Sequence, residues 1–467
     1  MSMKKIIWFF IIVPFLFSCG QGGANRKSAD KTPTAMEKNY PVKLITVDPG
    51  HFHAALVQKI MYPQVSPDVH VYAPDGPDVK MHLDRIRAYN TRTEKPTAWN
   101  EIVYTGPDFF EKMIGEKSGN VVVLSGNNRK KAEYISKSIN AGLNVLADKP
   151  MIILPADFPK LVESFRTAAE KGLILYDIMT ERYEVTTMIQ KMLSGNEELF
   201  GKIVKGTKEE PAVISLSVHN FSKLVSGVPL QRPAWFFDVD QQGEGMADVS
   251  THLVDIVQWE CFPGQVLDTT DIVMSSARRW PTILTKEQFK AVTGFDAFPD
   301  YLQKDVKDGK LNVFANGEML YQIKGVWTKV TVLWDYMPPE GAGDSYTSLI
   351  CGSKCDLIIL QGKDEHYLPT LYVGIAKDVK ADEFESLLKK AVAGLPYDSL
   401  SVDHVKKGLF RVNIPSKYRV THEEHFGQVT QKFLEYMKTG KLPEWEVPGM
   451  ITKYYTTTKA LEMALKH

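Results

Sequence analysis

The sequence predicts an α/β first half followed by an α+β second half, and two observations carry this prediction. Short apolar runs such as 42–47 and 120–124 alternate with helix-prone stretches over the first 180 residues. Helical connections of this length imply right-handed crossovers, and therefore a parallel, doubly wound sheet. Beyond residue 181, runs such as 327–334 alternate apolar and polar residues. That period predicts an open and mostly antiparallel sheet.

The first half is expected to alternate strands with helices. Apolar, β-branched runs predict buried strands over 42–47, 69–73, 120–124, 143–147 and 173–176. The segments between them predict helices over 53–60, 79–90, 129–141 and 156–171. Ligands of such sheets bind beyond the carboxyl ends of the strands. Site residues are therefore expected directly after strands.

The second half is expected to be a strand-rich sheet with an insertion. Strands are predicted over 212–218, 311–314, 319–323 and 327–334. The segment 371–415 has the pattern of strand, amphipathic helix and strand. Thr421 to Glu424 form a capping-box sequence, which predicts a helix through about Lys438. His422 and His425 stand three residues apart, whereas the histidines of the helical zinc motif stand four apart. No metal site is therefore expected here.

The N-terminus predicts a lipid anchor. Lys4 and Lys5 precede an apolar run that is too short to span a bilayer comfortably. With Ser18 before Cys19, this segment resembles a bacterial lipoprotein signal, which implies cleavage before Cys19 and acylation of its thiol. An ordinary signal peptide that contains a cysteine is the alternative. No acidic run follows Cys19, which favours anchoring on the periplasmic side. The expected divisions are a signal (1–18), a tether (19–40), a first domain (41–180) and a second domain (181–467).

Charge and cysteine content narrow the class of protein. The 56 Lys and Arg residues balance 56 Asp and Glu residues, so the chain has no electrostatic footprint for nucleic acid. Cys351 and Cys355 flank a three-residue turn, where they could form a disulfide across a hairpin or remain free thiols. Cys261 is expected to fill a gap in the core.

Two short motifs, about a hundred residues apart, carry the functional prediction. Asp148-Lys149-Pro150 follows the strand predicted over 143–147. A glycine-rich stretch from Gly243 leads into Asp248 and, four residues later, His252. On a helix, residues four apart share one face. The alternative is a helix N-terminus with a stabilising acid and a solvated histidine.

These motifs resemble those of the glucose–fructose oxidoreductase and inositol dehydrogenase family. The resemblance covers about 42–264, and the sheet beyond it only in outline. It implies a Rossmann-like dinucleotide domain, an open-sheet substrate domain, and an NAD(P)-dependent oxidoreductase acting on a hydroxyl of a sugar or glycoside. It further implies that Lys149 bonds the reacting oxygen and that His252 is the general acid/base. Asp248 would orient the imidazole or bind a neighbouring hydroxyl.

The predicted cofactor loop departs from the family pattern. The turn from Asp48 to Ala54 replaces G-x-G-x-x-G, and Asp48 stands at a glycine position. Either the diphosphate is held differently, with help from His51 or His53, or no dinucleotide binds. Asp75 is placed to accept the adenosine ribose hydroxyls, which favours NAD over NADP. The expected cofactor-binding residues are Gly50, His51, His53, Asp75, Ser125, Asn127 and Asn128.

The substrate is expected to be a small sugar or glycoside. His219 and Lys223 follow a strand and are expected to bind sugar hydroxyls, while Trp235 would offer a platform for a pyranose ring or lie in the core. A lipoprotein outside the cytoplasm would have to retain its cofactor tightly. The membrane is contacted through the anchor only, and a homo-oligomer is left open.

Two alternative functions remain open at this point. One is a redox-neutral, NAD-dependent glycosidase. The other is a non-catalytic carbohydrate-binding lipoprotein, which the degraded glycine loop favours and the retained Lys149, Asp248 and His252 oppose.

Overall fold

Six parallel strands from residues 39–225 form the first sheet, and they arise mostly from the apolar runs of the sequence. Its elements and the helices between them are β1 (Leu44–Val47), α1 (His53–Leu56), β2 (Asp68–Ala73), α2 (Pro77–Thr91), β3 (Asn100–Thr105), α3 (Phe109–Glu116), β4 (Val121–Leu124), α4 (Lys131–Asn140), β5 (Asn144–Asp148), α5 (Phe158–Lys171), β6 (Leu175–Ile178) and α6 (Val185–Ser194). The strand order is β3-β2-β1-β4-β5-β6. The strand order reverses between β1 and β4, and doubly wound sheets bind their ligands at this switch point.

This computed structural model describes residues 39–225, 228–377 and 379–466. The predicted signal, most of the tether and Cys19 lie outside the described residues. From Tyr40 onward the chain is one compact unit, so the boundary expected at residue 180 stays a prediction. Among the described helices, none has the length and apolar character needed to cross a membrane.

The second sheet is mixed and mostly antiparallel, as predicted. The remaining elements are β7 (Val213–Asn220), β8 (Leu224–Val225), β9 (Val228–Pro229), α7 (Val239–Gln242), α8 (Ser250–Cys261), β10 (Ile272–Leu284), α9 (Lys286–Thr293), β11 (Val306–Lys307), β12 (Lys310–Ile323), β13 (Val326–Asp335), β14 (Ser345–Cys351), β15 (Cys355–Leu360), β16 (Thr370–Ile375), α10 (Ala381–Ala393), β17 (Ser401–Lys406), β18 (Leu409–Asn413), α11 (His422–Thr439) and α12 (Glu446–Ala464). The strand order is β10-β12-β13-β7-β14-β15-β16-β18-β17, with β11 beside β12. Only the central pair β13 and β7 is parallel along this path.

The segment 371–415 extends the second sheet. Strands β16 and β18 pair with each other, and β16 pairs with β15. Helix α10 covers this end of the sheet, where Phe384 and Leu388 share a core cluster with Leu371 and Val373. The predicted order of strand, helix and strand is therefore present, with one further strand at the edge.

The last two helices return to the first sheet. Phe426 and Phe433 of α11 belong to the core cluster of the first sheet, as does Tyr454 of α12. Further along α12, Ala460 and Leu461 belong to the core cluster of the second sheet. Helix α12 therefore joins the two cores. The capping box predicted at Thr421 is formed, because its hydroxyl and the Glu424 carboxylate satisfy backbone N–H groups that the first helical turn leaves free.

The three described cysteines are free thiols. Cys351 and Cys355 do flank the turn between β14 and β15, as expected. Across the ladder, however, Cys351 faces Asp356, while Cys355 faces Ile375 on β16. The two thiols are therefore not cross-strand partners, and the free-thiol alternative holds.

Candidate active site

The larger of two cavities near the carboxyl edge of the first sheet has a volume of about 440 Å³. Its walls bring together residues that are far apart in the sequence. They include His51 after β1, Lys149 after β5, His219 at the end of β7 and His252 of α8. Topology therefore places the two motifs identified in the sequence in one cavity.

Lys149 and Asp248 form a direct ion pair in this cavity. The Lys149 Nζ donates to Asp248 Oδ1 over 2.6 Å, and the two side chains are 11% and 7% exposed. Gln242 Nε2 donates to the other carboxylate oxygen at 3.0 Å. Asp248 therefore fixes the lysine ammonium at the cavity wall.

The expected contact between Asp248 and His252 is not the one observed. Helix α8 begins at Ser250, and Asp248 lies in the preceding turn, where its N–H donates to the Glu244 carbonyl. The four-residue spacing therefore does not place both side chains on one helical face. Asp248 orients the lysine in this structure, not the imidazole.

His252 lines the cavity and has an imidazole nitrogen with no hydrogen-bond partner among the described residues. Its Nδ1 is buried and has no hydrogen-bond partner in the described part of the chain. Burial, followed by the nearby charge of Lys149, holds the pKa of His252 well below its ordinary value of 6.5. The imidazole is thus neutral at pH 7, and a neutral imidazole can accept a proton.

The turn after β1 carries two histidines that meet Asp148. His53 Nδ1 lies 2.9 Å from Asp148 Oδ2, and His51 Nδ1 lies 3.8 Å from the same oxygen. Ser125 Oγ donates to that oxygen at 2.8 Å. His53 stands at the third glycine position of G-x-G-x-x-G. The predicted cofactor loop therefore carries histidine side chains, and these line the larger cavity.

His219 belongs to a second polar group on the wall of the same cavity. Its Nδ1 lies 3.3 Å from Asp344 Oδ2, its Nε2 lies 2.5 Å from Ser217 Oγ, and its ring stacks on Trp334. Lys223 Nζ donates to Asp344 Oδ2 at 2.5 Å. The structure thus brings the predicted His219 and Lys223 together through Asp344, which sequence analysis missed because it follows a loop with no motif.

The second cavity, of about 310 Å³, lies beyond the ends of β1 and β2. Asp75 lines it, at the place expected for an adenosine ribose. Trp235 also lines it and is absent from the wall of the larger cavity. Its indole N–H donates to Asp78 Oδ2 at 2.8 Å. Of the two roles considered for Trp235, the core position is the one observed, since the ring is buried and belongs to the core cluster of the second sheet.

A smaller pocket lined by Gly50, Arg85 and Arg232 shares lining residues with both cavities. A Cβ on Gly50 would lie 2.9 Å from Asp78 Oδ2 and 3.0 Å from the Trp235 ring, so a larger residue would force these side chains to shift. Burial lowers the pKa of Arg232 to about 10, which leaves it charged at pH 7. Arg85 and Arg232 bring positive charge to this pocket, and Arg232 is held there by hydrogen bonds to two backbone carbonyls. Carboxylates line the adjoining second cavity, so the fit to the diphosphate of a dinucleotide, without the usual glycine loop, rests on the two arginines.

Three residues expected to bind the cofactor form hydrogen bonds within the protein. Ser125 donates to Asp148, as described above. Asn127 Nδ2 donates to Gln241 Oε1, and Asn128 Nδ2 donates to the Gln242 carbonyl, both at 2.7 Å. None of the three lines either cavity. Helix α7 lies against this segment, and a contact of these residues with a dinucleotide stays a prediction.

The chain belongs to a family of oxidoreductases. Residues 189–465, more than half of the chain, match the sequence family described as "Putative oxidoreductase C terminal domain". A crystal structure of a "putative oxidoreductase from Parabacteroides merdae" is 55% identical, covers 91% of this chain and 98% of that one, and superposes with a TM-score of 0.89. No curated protein matches the chain.

More distant solved structures share the fold. A levoglucosan dehydrogenase in complex with NADH and levoglucosan is 13% identical, covers 91% of this chain and 97% of that one, and has a TM-score of 0.56. An oxidoreductase structure from Thermotoga maritima, also 13% identical, covers 91% and 98% with a TM-score of 0.57. These similarities confirm the arrangement of a Rossmann-like sheet and an open, mostly antiparallel sheet.

Proposed function

We propose that this oxidoreductase uses a tightly held NAD(P) to oxidise a hydroxyl of a sugar or glycoside. The observation that carries the proposal is the joint presence of the Lys149–Asp248 ion pair and the neutral His252 in one cavity. The cavity has the size of a small-molecule site. The distant fold relative crystallised with NADH and levoglucosan supports the same class of substrate.

Each of three residues of this cavity has a separate role in the proposed reaction. A bound nicotinamide would supply the acceptor for the hydride of the carbinol carbon. Lys149 donates a hydrogen bond to the oxygen of that carbon and stabilises its developing negative charge. His252 Nδ1 accepts the hydroxyl proton. It is available for this role because it has no hydrogen-bond partner among the described residues. Asp248 keeps the lysine ammonium in place.

Asp75 and the two arginines suggest how the dinucleotide is held. A carboxylate after the second strand accepts both ribose hydroxyls and repels a 2′-phosphate, so NAD is favoured over NADP. Arg85 and Arg232 would neutralise the diphosphate beside Gly50. A charge-assisted contact of this kind replaces the backbone N–H groups of an ordinary glycine loop.

A direct test measures the dinucleotide in the purified protein. Native mass spectrometry should find one NAD per chain, and glycosides should then yield a keto-sugar and reduced nicotinamide. A protein that carries no dinucleotide, and gains none on soaking with NAD or NADP, contradicts the proposal.

A redox-neutral glycosidase is the second candidate, and the His219 group favours it. Cleavage after oxidation requires a further acid or base near the glycosidic oxygen. His219, oriented by Asp344, offers one in the cavity that holds Lys149. Release of free aglycone with no net reduction of NAD would identify this activity, whereas an accumulating keto-glycoside would identify the oxidoreductase.

We also propose that the protein is lipid-anchored at Cys19 and faces the periplasm. The support is the signal-like sequence before Cys19. Metabolic labelling with palmitate should mark the wild-type protein, and Cys19→Ala should abolish the label and release the protein from membranes. Equal labelling of both would contradict the anchor.

A further inference from the structure

Three potential metal ligands meet at one point of the larger cavity. His51, His53 and Asp148 each offer one ligand atom, and these atoms all lie within 4.8 Å of one another. We propose that they bind one divalent transition-metal ion, with a Zn²⁺-like preference for two imidazoles and a carboxylate. Binding of the ion does not depend on the proposed dehydrogenase activity.

The distances suit a shared ion. Four ligands at about 2.0–2.1 Å from a tetrahedral Zn²⁺ lie about 3.3 Å from each other. The separation of His53 Nδ1 from Asp148 Oδ2 is 2.9 Å, and that of His51 Nδ1 from the same oxygen is 3.8 Å. These two separations bracket the required one, and the two histidine ligand atoms lie within 4.8 Å of each other. Side-chain rotations of the histidines would bring the three atoms around one ion.

Asp148 is held in place by groups outside the ligand set. Ser125 Oγ donates to its carboxylate at 2.8 Å. The buried Lys131 Nζ donates to its backbone carbonyl at 2.9 Å. The Ser125 contact fixes the direction of the carboxylate, and second contacts of this kind are typical of metal sites. The Lys131 contact holds the backbone that carries it.

The site would leave at least one coordination position for a substrate oxygen. Three protein ligands and one open position are the usual pattern of catalytic zinc. His51, His53 and Lys149 line the same cavity, so the ligand chemistry is a hydroxyl or carbonyl oxygen of the sugar. This assignment of the open position rests on the proposed function, whereas the metal site itself does not.

Metal content tests the proposal directly. The purified protein is stripped with EDTA, incubated with Zn²⁺ or Co²⁺, desalted and analysed by inductively coupled plasma mass spectrometry. One ion per chain is expected, and the Co²⁺ form should show the visible d–d absorption of a low-coordinate site. NAD content is measured in the same samples, so loss of metal and loss of dinucleotide are distinguished.

Variants assign the ion to these ligands. His53→Ala and Asp148→Asn should each lower bound metal at least tenfold, while His404→Ala, which removes an exposed histidine of β17, should leave it unchanged. His51→Gln serves as a milder variant if either of the others fails to fold. Wild-type protein that takes up no more metal than the stripped control overturns the site. Equal metal in wild type and the ligand variants overturns it as well, and leaves His53 and Asp148 as a hydrogen-bonded pair only.

Discussion

Lys149 is the residue proposed to bond the reacting oxygen of the substrate. Its ammonium is paired with Asp248 at 2.6 Å, and the residue lines the cavity. Lys149→Met keeps the length of the side chain and removes the donor. Loss of one donor to a developing oxyanion costs roughly 10²–10³-fold in kcat. We expect that loss in steady-state assays with the glycoside that gives turnover, at unchanged NAD content.

Lys130→Met is the matched control, because Lys130 is an exposed lysine of the first domain outside the cavity. It should keep wild-type kcat. Wild-type turnover by Lys149→Met would remove the lysine from the mechanism, whatever the state of the cofactor.

The pH dependence of turnover should report on His252. Since burial lowers its folded pKa below 6.5, the imidazole remains an available base as the pH falls through 6.5. The value of kcat/KM for oxidation should therefore stay level from pH 8 to below 6.5, and decrease only at more acidic pH. His252→Gln should be slow at every pH. A decrease centred at or above pH 6.5 in the wild type would contradict this assignment.

At the scale of elements, helix α12 is locked to the first sheet and to α8 by buried charges. Lys453 Nζ lies 2.7 Å from Asp177 Oδ2 of β6 and 2.8 Å from Asp255 Oδ1 of α8. Arg182 also pairs with Asp255, through two bonds of 2.6 and 2.7 Å. Asp177 has no comparable second cation in the described chain, and Tyr454 is its other hydrogen-bond donor.

Lys453→Met should therefore destabilise the protein strongly. Breaking a buried pair from one side leaves an uncompensated charge and costs about 3–5 kcal/mol. The measurement is the free energy of unfolding in urea. Lys459→Met, six residues later on the same helix, removes a half-exposed partner of Glu462 and should cost no more than about 1 kcal/mol. Equal losses in the two variants would refute the role given to Asp177.

The elements that could be predicted from the sequence are those whose buried residues form a continuous apolar run. Strands β1 and β4 are buried throughout and were predicted. Strand β3 was missed, because it is an edge strand with four of its six residues exposed and its apolar run, 102–104, is only three residues long. The runs 311–314 and 319–323 proved to be one strand, β12, since the small and polar residues between them also pair with β10.

For the molecule as a whole, the positions of the site's motif residues were predictable and their partners were not. Lys149 and His252 follow from local motifs. The pairing of His53 with Asp148, and of His219 with Asp344, joins segments 95 and 125 residues apart. No periodicity in a single sequence reports such a contact. The same reason explains why no metal site was expected from the sequence, although two of its ligands lie in the atypical glycine loop.

The two sheets should unfold together, because α12 contributes to both cores. Met450 and Tyr454 pack in the first cluster, and Ala460 and Leu461 pack in the second. A helix shared in this way loses apolar contacts on one side if either sheet opens alone, so partial unfolding costs nearly as much as complete unfolding. Denaturant-dependent hydrogen exchange should give the same opening free energy, within about 1 kcal/mol, for amides of β4 and of β12. Lys453→Met should lower both values equally, since it loosens the shared helix. Two separated transitions in the wild type would show that the sheets are independent units, and that the contacts of α12 do not couple them.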